Sequence, residues 1–352
     1  MNCHMARTPS GKAKAPSIKD VATLAGVSVP TVSRFLNTPE RVSEGKRENI
    51  SEAIAKLNYR PNAIARALVR EQSRQCLVLS SNTTLFGQVQ TIRGIEIAAR
   101  DSGYALNIGV IAGSSQESIQ SSLNNSLEHN PAGVIVLNFD ENSDRALHIM
   151  PQGTPLVAVA GKRDENIAWI SMGEEEGGYL ITRHLLRCGA KKVYAVGIPG
   201  GGGANDRLGG WRRACQEAGV PMPTPIEAGW DAENARSVGR MLGKNGDVEA
   251  VFAGNDEVAM GVIRGLNDCG LKVPDDVLVA GFDDHPLGRI WNPSLTTIRQ
   301  NFQAVGQEAF AMLLPMIDEV RNGREHSGCW TASHTFVGDL IIRESTARAI
   351  AK

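Results

Sequence analysis

Between about residues 76 and 345 the chain alternates short apolar runs with longer amphipathic ones, and this alternation narrows its fold more than any other feature. The runs at 76–80, 105–111, 133–138, 156–160, 192–197, 248–253 and 277–282 are rich in Val, Ile, Leu and Ala. Continuous apolar runs suit strands covered on both faces, so parallel sheets with helices on each side are expected. Helical patterns at 89–100, 116–129, 173–188 and 255–269 lie between them, several closed by a glycine such as Gly103, Gly189 or Gly270. That many units exceed one sheet, which predicts two lobes dividing near residue 172. No apolar run approaches the roughly 20 residues needed to cross a bilayer, and the first residues lack the apolar core of a signal peptide. A cytoplasmic protein is the expectation.

The first 75 residues read differently. They carry 13 Lys/Arg against 6 Asp/Glu, whereas the remainder carries 24 against 32, so a net charge of −1 conceals a basic segment on an acidic body. Charge alone fits a nucleic-acid anchor or a basic disordered tail equally well. The apolar spacing adds more. Ile18, Val21, Ala22 and Ala25 share one helical face, Gly26 and Val27 turn the chain, and Val32, Phe35 and Leu36 give a second helix an apolar face after the N-cap candidate Ser28. A third helix is expected over 43–58, with Ile50, Ile54 and Leu57 inward. Three short helices around one core make a helix-turn-helix unit, which binds DNA or, as the plainer possibility, another protein. Its second helix presents Ser28, Val29, Pro30, Ser33, Arg34 and Asn37 outward. Arg34 suits a bidentate guanine contact, Val29 and Pro30 suit thymine methyls, and Thr31, Ser33 and Asn37 suit phosphates or base edges. Lys19 and Arg60 are candidates for phosphate contacts.

These segments carry a family resemblance. Ile18-Lys19-Asp20-Val21-Ala22, Ala25-Gly26-Val27-Ser28, Thr31-Val32-Ser33-Arg34 and Leu57-Asn58-Tyr59-Arg60-Pro61-Asn62 resemble the headpiece of the lactose-repressor/galactose-repressor (LacI/GalR) family. Arg207-Leu208-Gly209-Gly210-Trp211, Gly254-Asn255-Asp256, Gly281-Phe282-Asp283-Asp284 and Pro293-Ser294-Leu295-Thr296-Thr297-Ile298 are similar to motifs of that family's effector domain. The resemblance implies an all-α headpiece (17–60) after a basic tail (1–16), then a hinge helix and linker (61–74). It further implies a two-lobed α/β body with the periplasmic-binding-protein fold (75–345) and a short tail (346–352). The first lobe would take 75–171 and 302–333, the second 172–301 and 334–345. A homodimer, or a dimer of dimers, on operator DNA is implied as well.

Asn62 to Val69 matches the family's hinge helix, in which Asn62 caps and Leu68 wedges between base pairs, and the spacing Ala65-x-x-Leu68 fits it; an ordinary linker is the alternative for Leu68. In the body, Arg207, Asn255 and Asp283 match positions that bond effector hydroxyls, and the three residue types supply a fork of donors, an amide and a bridging carboxylate. Trp230 matches a sugar-stacking tryptophan, although a core role would also suit it, and Asp140 reads as a hydroxyl acceptor or a solvated loop residue. Residues 81–87 lack the family's Asn-Pro-Phe-Phe pattern, and Phe86 is the candidate to do that cleft phenylalanine's work. Gln300 and Phe302 lie at a crossover between lobes.

Other signals point nowhere. The glycine run at 200–203 lacks the Lys-Ser/Thr of a phosphate loop, Asp283-Asp284-His285 lacks further partners for a metal, and no catalytic pairing is readable. No cofactor and no enzymatic activity are expected. The expectation is a repressor released by a saccharide inducer; a purine-responsive corepressor system is the alternative, ahead of a sugar-binding protein or enzyme with the same body.

Overall fold

The computed structural model describes residues 16–59, 73–161, 163–199, 206–323 and 331–347, in two units that divide after Gln72. In the N-terminal unit α1 (Ile18–Leu24), α2 (Val29–Asn37) and α3 (Glu44–Leu57) surround Val21, Ala22, Ala25, Val32, Val42, Ile50 and Ala53, all buried. The start of α1 is fixed by the Asp20 carboxylate, which accepts from both the Ser17 N–H (2.7 Å) and its hydroxyl (2.8 Å). The turn into α2 needs Gly26, whose φ of +64° lies in the left-handed region. Asn58, at φ +47°, closes α3 in the same way.

The second unit holds two parallel sheets. The first contains β1 (Gln75–Ser80), β2 (Ala105–Val110), β3 (Gly133–Leu137), β4 (Leu156–Val159), β5 (Ala168–Ser171) and a late strand, β11 (Ser333–Thr335), in the order β11-β5-β4-β3-β1-β2. Its helices are α4 (Phe86–Asp101), α5 (Gln116–Leu127), α6 (Glu141–His148) and the long α12 (Phe302–Arg321). The second contains β6 (Val193–Gly197), β7 (Ile226–Glu227), β8 (Ala250–Ala253) and β9 (Leu278–Ala280) in the order β7-β6-β8-β9. It is flanked by α7 (Glu174–Arg187), α8 (Arg207–Ala218), α9 (Ala232–Asn245), α10 (Asp256–Asp268) and the short α11 (Pro286–Ile290). Each sheet is covered on both faces by its own apolar clusters. Among the described residues no helix is long and apolar enough to cross a membrane.

The chain passes between lobes after β5, through β10 (Thr297–Arg299) into α12, and again between β11 and β12 (Asp339–Ile341). β10 and β12 pair with each other, antiparallel, at the crossovers. Three details depart from the sequence reading. β11 still pairs with β5, so the return to the second lobe follows Thr335 instead of beginning at residue 334. Thr346 is no tail residue: it is buried, and its hydroxyl lies 2.8 Å from His184 Nε2 and 2.7 Å from Thr296 Oγ1. β2 is not covered on both faces; it is an edge strand with Ile108 and Val110 about half exposed, because nothing pairs beyond it among the described residues.

Candidate DNA-contact surface and effector cleft

In the N-terminal unit, α2 divides its residues by function. Val32 is fully buried, while Ser28, Pro30 and Arg34 are exposed and Thr31 and Ser33 are half-buried. Ser28 begins the helix, and its hydroxyl lies 2.8 Å from that of Thr31. Val29 departs from the outward placement expected of it, since it is half-buried against the core cluster. Lys19 is exposed on α1. Asn37 closes α2, and its side chain lies outside the described residues, as do Arg60, Asn62, Ala65 and Leu68 with the expected hinge helix.

In the body, Arg207, Trp230, Asn255 and Asp283 follow β6, β7, β8 and β9, so all four stand beyond the carboxyl ends of the second sheet, where open α/β sheets bind ligands. Phe86 and Asp140 follow β1 and β3 of the first sheet in the same sense. Arg207 opens α8, which packs so closely on α7 that a Cβ on Gly178 would fall 2.1 Å from the Arg207 carbonyl oxygen. Glycine at 178 therefore sets where Arg207 begins. Its guanidinium lies 4.0 Å from the centre of the Phe282 ring, donates to the Gly254 carbonyl, and places Nη2 3.1 Å from Asp283 and 3.3 Å from Glu174.

Asp283 sits at φ +102° and Asp284 at φ +55°, conformations that side-chain-bearing residues rarely hold. The loop is clamped from below by Asp256, whose buried carboxylate accepts from the His285 N–H (2.6 Å) and the Thr297 hydroxyl (2.7 Å). Burial pushes the Asp256 carboxyl well above the usual range, and neighbouring Asp283 adds to the shift. Burial also pushes Asp283 up to about 6, against the lowering effect of Arg207. The Arg207–Asp283 pair has ion-pair distance without hydrogen-bond geometry. Asp283 Oδ1 and Arg207 Nε are both buried with no hydrogen-bond partner among the described residues. Glu257, raised by its own burial, accepts from Asn255 Nδ2 at 2.9 Å.

The structure joins Arg207 and Asp283 directly and adds Glu174, Glu257, Phe282 and His285, which sequence reasoning missed. The acidic run Glu174-Glu175-Glu176 was the available signal for the first of these. Other candidates are more committed to the fold than expected. Asn255 caps α10 through Oδ1, accepting from the Val258 N–H at 2.8 Å. Asp140 caps α6, accepting from the Ser143 N–H at 2.9 Å, and also takes the Ser81 hydroxyl. Gln300 is buried and donates to the Met172 carbonyl at 3.1 Å, tying two crossovers together. Phe302 is buried in the first lobe's core, edge-on to Phe86 with ring centres 5.9 Å apart. Phe86 reaches the opposite lobe, its ring centre 4.6 Å from that of His285. Trp230 is half-buried beyond β7. Among the described residues no three His, Cys, Asp or Glu side chains group as metal ligands.

Residues 17–62 match the model for bacterial regulatory proteins of the lacI family, and residues 182–346 match a periplasmic binding protein-like domain. The HTH-type transcriptional repressor PurR of Vibrio vulnificus is 30% identical, covering 94% of this chain and 99% of its own. The lactose operon repressor of Escherichia coli is 29% identical over 86% of this chain and 85% of its own. The chain belongs to the lacI family. The lac repressor dimer bound to operator and the anti-inducer ONPF superposes with a TM-score of 0.84 at 27% identity, covering 95% of this chain and all of that one. A complex of the transcriptional regulator CelR with cellobiose superposes at 0.68 and 25% identity, covering 94% of this chain and 99% of that one. This lacI-family protein is accordingly a DNA-binding transcriptional repressor whose partners are operator DNA and a small-molecule effector.

Proposed function

We propose that this repressor responds to a saccharide, which binds between the lobes, acts as an inducer and is bound without being chemically changed. The observation that carries the reading is the Arg207–Asp283 pair, close enough to attract yet with Asp283 Oδ1 and Arg207 Nε buried and unbonded among the described residues. A neutral polyol completes both, donating one hydroxyl to the carboxylate and accepting at the next from the guanidinium. Trp230 on the same sheet edge supplies an apolar face for the sugar's C–H surface. The cellobiose held by the related CelR supports this class of ligand. On the DNA side, a cytoplasmic homodimer reads a near-palindromic operator through Arg34 and its neighbours on α2, with Lys19 and Arg60 on phosphates. Leu68, three residues after Ala65, matches the family's minor-groove wedge; Leu68→Ala should weaken operator binding in a gel-shift titration and leave effector affinity intact.

Calorimetric titration of mono- and disaccharides, hypoxanthine and guanine, with and without operator duplex, tests the reading. A sugar should bind and weaken operator affinity by the factor by which operator weakens sugar affinity. Arg207→Ala should cost roughly 1.5–3 kcal/mol of that binding. Tight purine binding that strengthens with operator would overturn both the ligand class and the direction of the switch.

A further inference from the structure

Beside the β10 crossover, three guanidinium groups converge on one carboxylate. Asp284, its side chain 2% exposed, accepts from Arg289 at 2.9 Å and Arg299 at 2.7 Å, and also from Arg343. The three cations hold the Asp284 carboxyl below its ordinary range, and one negative charge still leaves the group with an excess of positive charge. Arg343 is otherwise occupied, donating to the Leu295 carbonyl at 2.7 Å. Among the described residues Arg289 and Arg299 are not. Their side chains are 55% and 45% exposed, and each reaches Asp284 through a single nitrogen, Nη2 of Arg289 and Nε of Arg299. Both arginines line a cavity of about 190 Å³.

We propose that this cavity is a second binding site, for a phosphoryl group, free or esterified. The lining residues that carry N–H donors come from four elements: Arg289 on α11, Arg299 on β10, Gln90 on α4 and Gln303 on α12. Donor-bearing side chains on four elements suit an anion with three or four oxygens better than a two-oxygen carboxylate. The cavity adjoins the effector cleft and shares Phe86, Asp283, Gln300 and Phe302 with it, but Arg207, Asn255 and Trp230 do not line it. Asp283 shares Arg207 with Glu174, at 3.1 and 3.3 Å, and even counted whole its charge leaves the three arginines around Asp284 in excess. Because Gln90 and Gln303 belong to the first lobe and Arg289 to the second, an occupant holds the lobes in the arrangement seen here.

The test is thermal shift and calorimetry on the full chain with inorganic phosphate at constant ionic strength, with chloride as control. Parallel arms with glycerol phosphate and glycerol distinguish an ester from the free ion. Phosphate should stabilise the body where chloride does not. Arg289→Gln should weaken phosphate binding several-fold and Arg289→Gln/Arg299→Gln at least tenfold, whereas Trp230→Ala, in the effector cleft but outside this cavity, should leave it unchanged. Should the double variant fail to fold, Arg289→Gln decides, since Arg299 and Arg343 continue to hold Asp284. Equal stabilisation by chloride, unchanged affinity in Arg289→Gln, or loss of binding in Trp230→Ala would overturn the proposal.

Discussion

The headpiece and the cleft hold their working residues in opposite ways. Around α2 the fold rests on a handful of small buried side chains, and the exposed Arg34 takes no part in it. In the cleft, Asn255 and Asp283 are buried and Arg207 is half-buried, and each is engaged with neighbours that shape the lobe. Binding and folding are separable in the first region and share residues in the second. Substitutions in the headpiece should therefore sort cleanly into core and contact classes, while those in the cleft should not.

The largest expected effects test that contrast in the two cores. Phe282 is fully buried and also underlies the Arg207 guanidinium. Phe282→Ala should cost about 3–5 kcal/mol of stability and weaken effector binding with it. Ile50→Ala, at about 2–5 kcal/mol, falls on a much smaller core and should abolish operator binding through loss of the headpiece fold, leaving effector affinity as it was. Calorimetric scanning together with effector titration checks both. If Ile50→Ala also lowered effector affinity, the separation would be broken.

Next in size is Arg34→Ala, expected to cost about 1–3 kcal/mol of operator affinity with no change in melting temperature. Gel-shift titration against operator and random duplex measures it. Unchanged selectivity would remove Arg34 from the reading surface.

The same contrast explains what was legible in the sequence. In the headpiece every signal is local: the spacing of Val21, Ala22 and Ala25, the glycine turn at Gly26 and the apolar face of α2 all fall within one window, and each predicted helix is present. Val29 was misplaced because its packing depends on a neighbouring helix. In the body, strands and helices were readable from period and length, but the edge position of β2 was not, since Ile108 and Val110 look the same whether covered or exposed. The cleft was half legible. Arg207 and Asp283 came from motifs, yet Glu174, Glu257, Phe282 and His285 join them only through tertiary packing. The capping duties of Asn255 and Asp140 depend on local backbone geometry that residue type alone does not reveal.

The smallest expected effect concerns protons in the cleft. Asp283 titrates near about 6 in the folded chain, above its ordinary 3.8, so the folded state binds more protons than the unfolded one between those values. Its contribution to stability is fully present below pH 3.8 and is lost as pH rises through 6. From pH 5 to 7 the loss amounts to about 1 kcal/mol. Neighbouring His285 opposes it: burial lowers its pKa below 6.5, so it favours the folded state increasingly as pH rises through the same window. Raw stability curves therefore mix two signs, and the informative quantity is wild type minus Asp283→Asn. Relative to the variant, wild type should lose stability on going from pH 5 to pH 7, with the change confined to unfolding of the body. Denaturant titrations at the two pH values measure it. A difference curve that stays flat would mean that Asp283 is ionised throughout, held by Arg207 as an ordinary salt bridge, and that the cleft is less different from the headpiece than its burial implies.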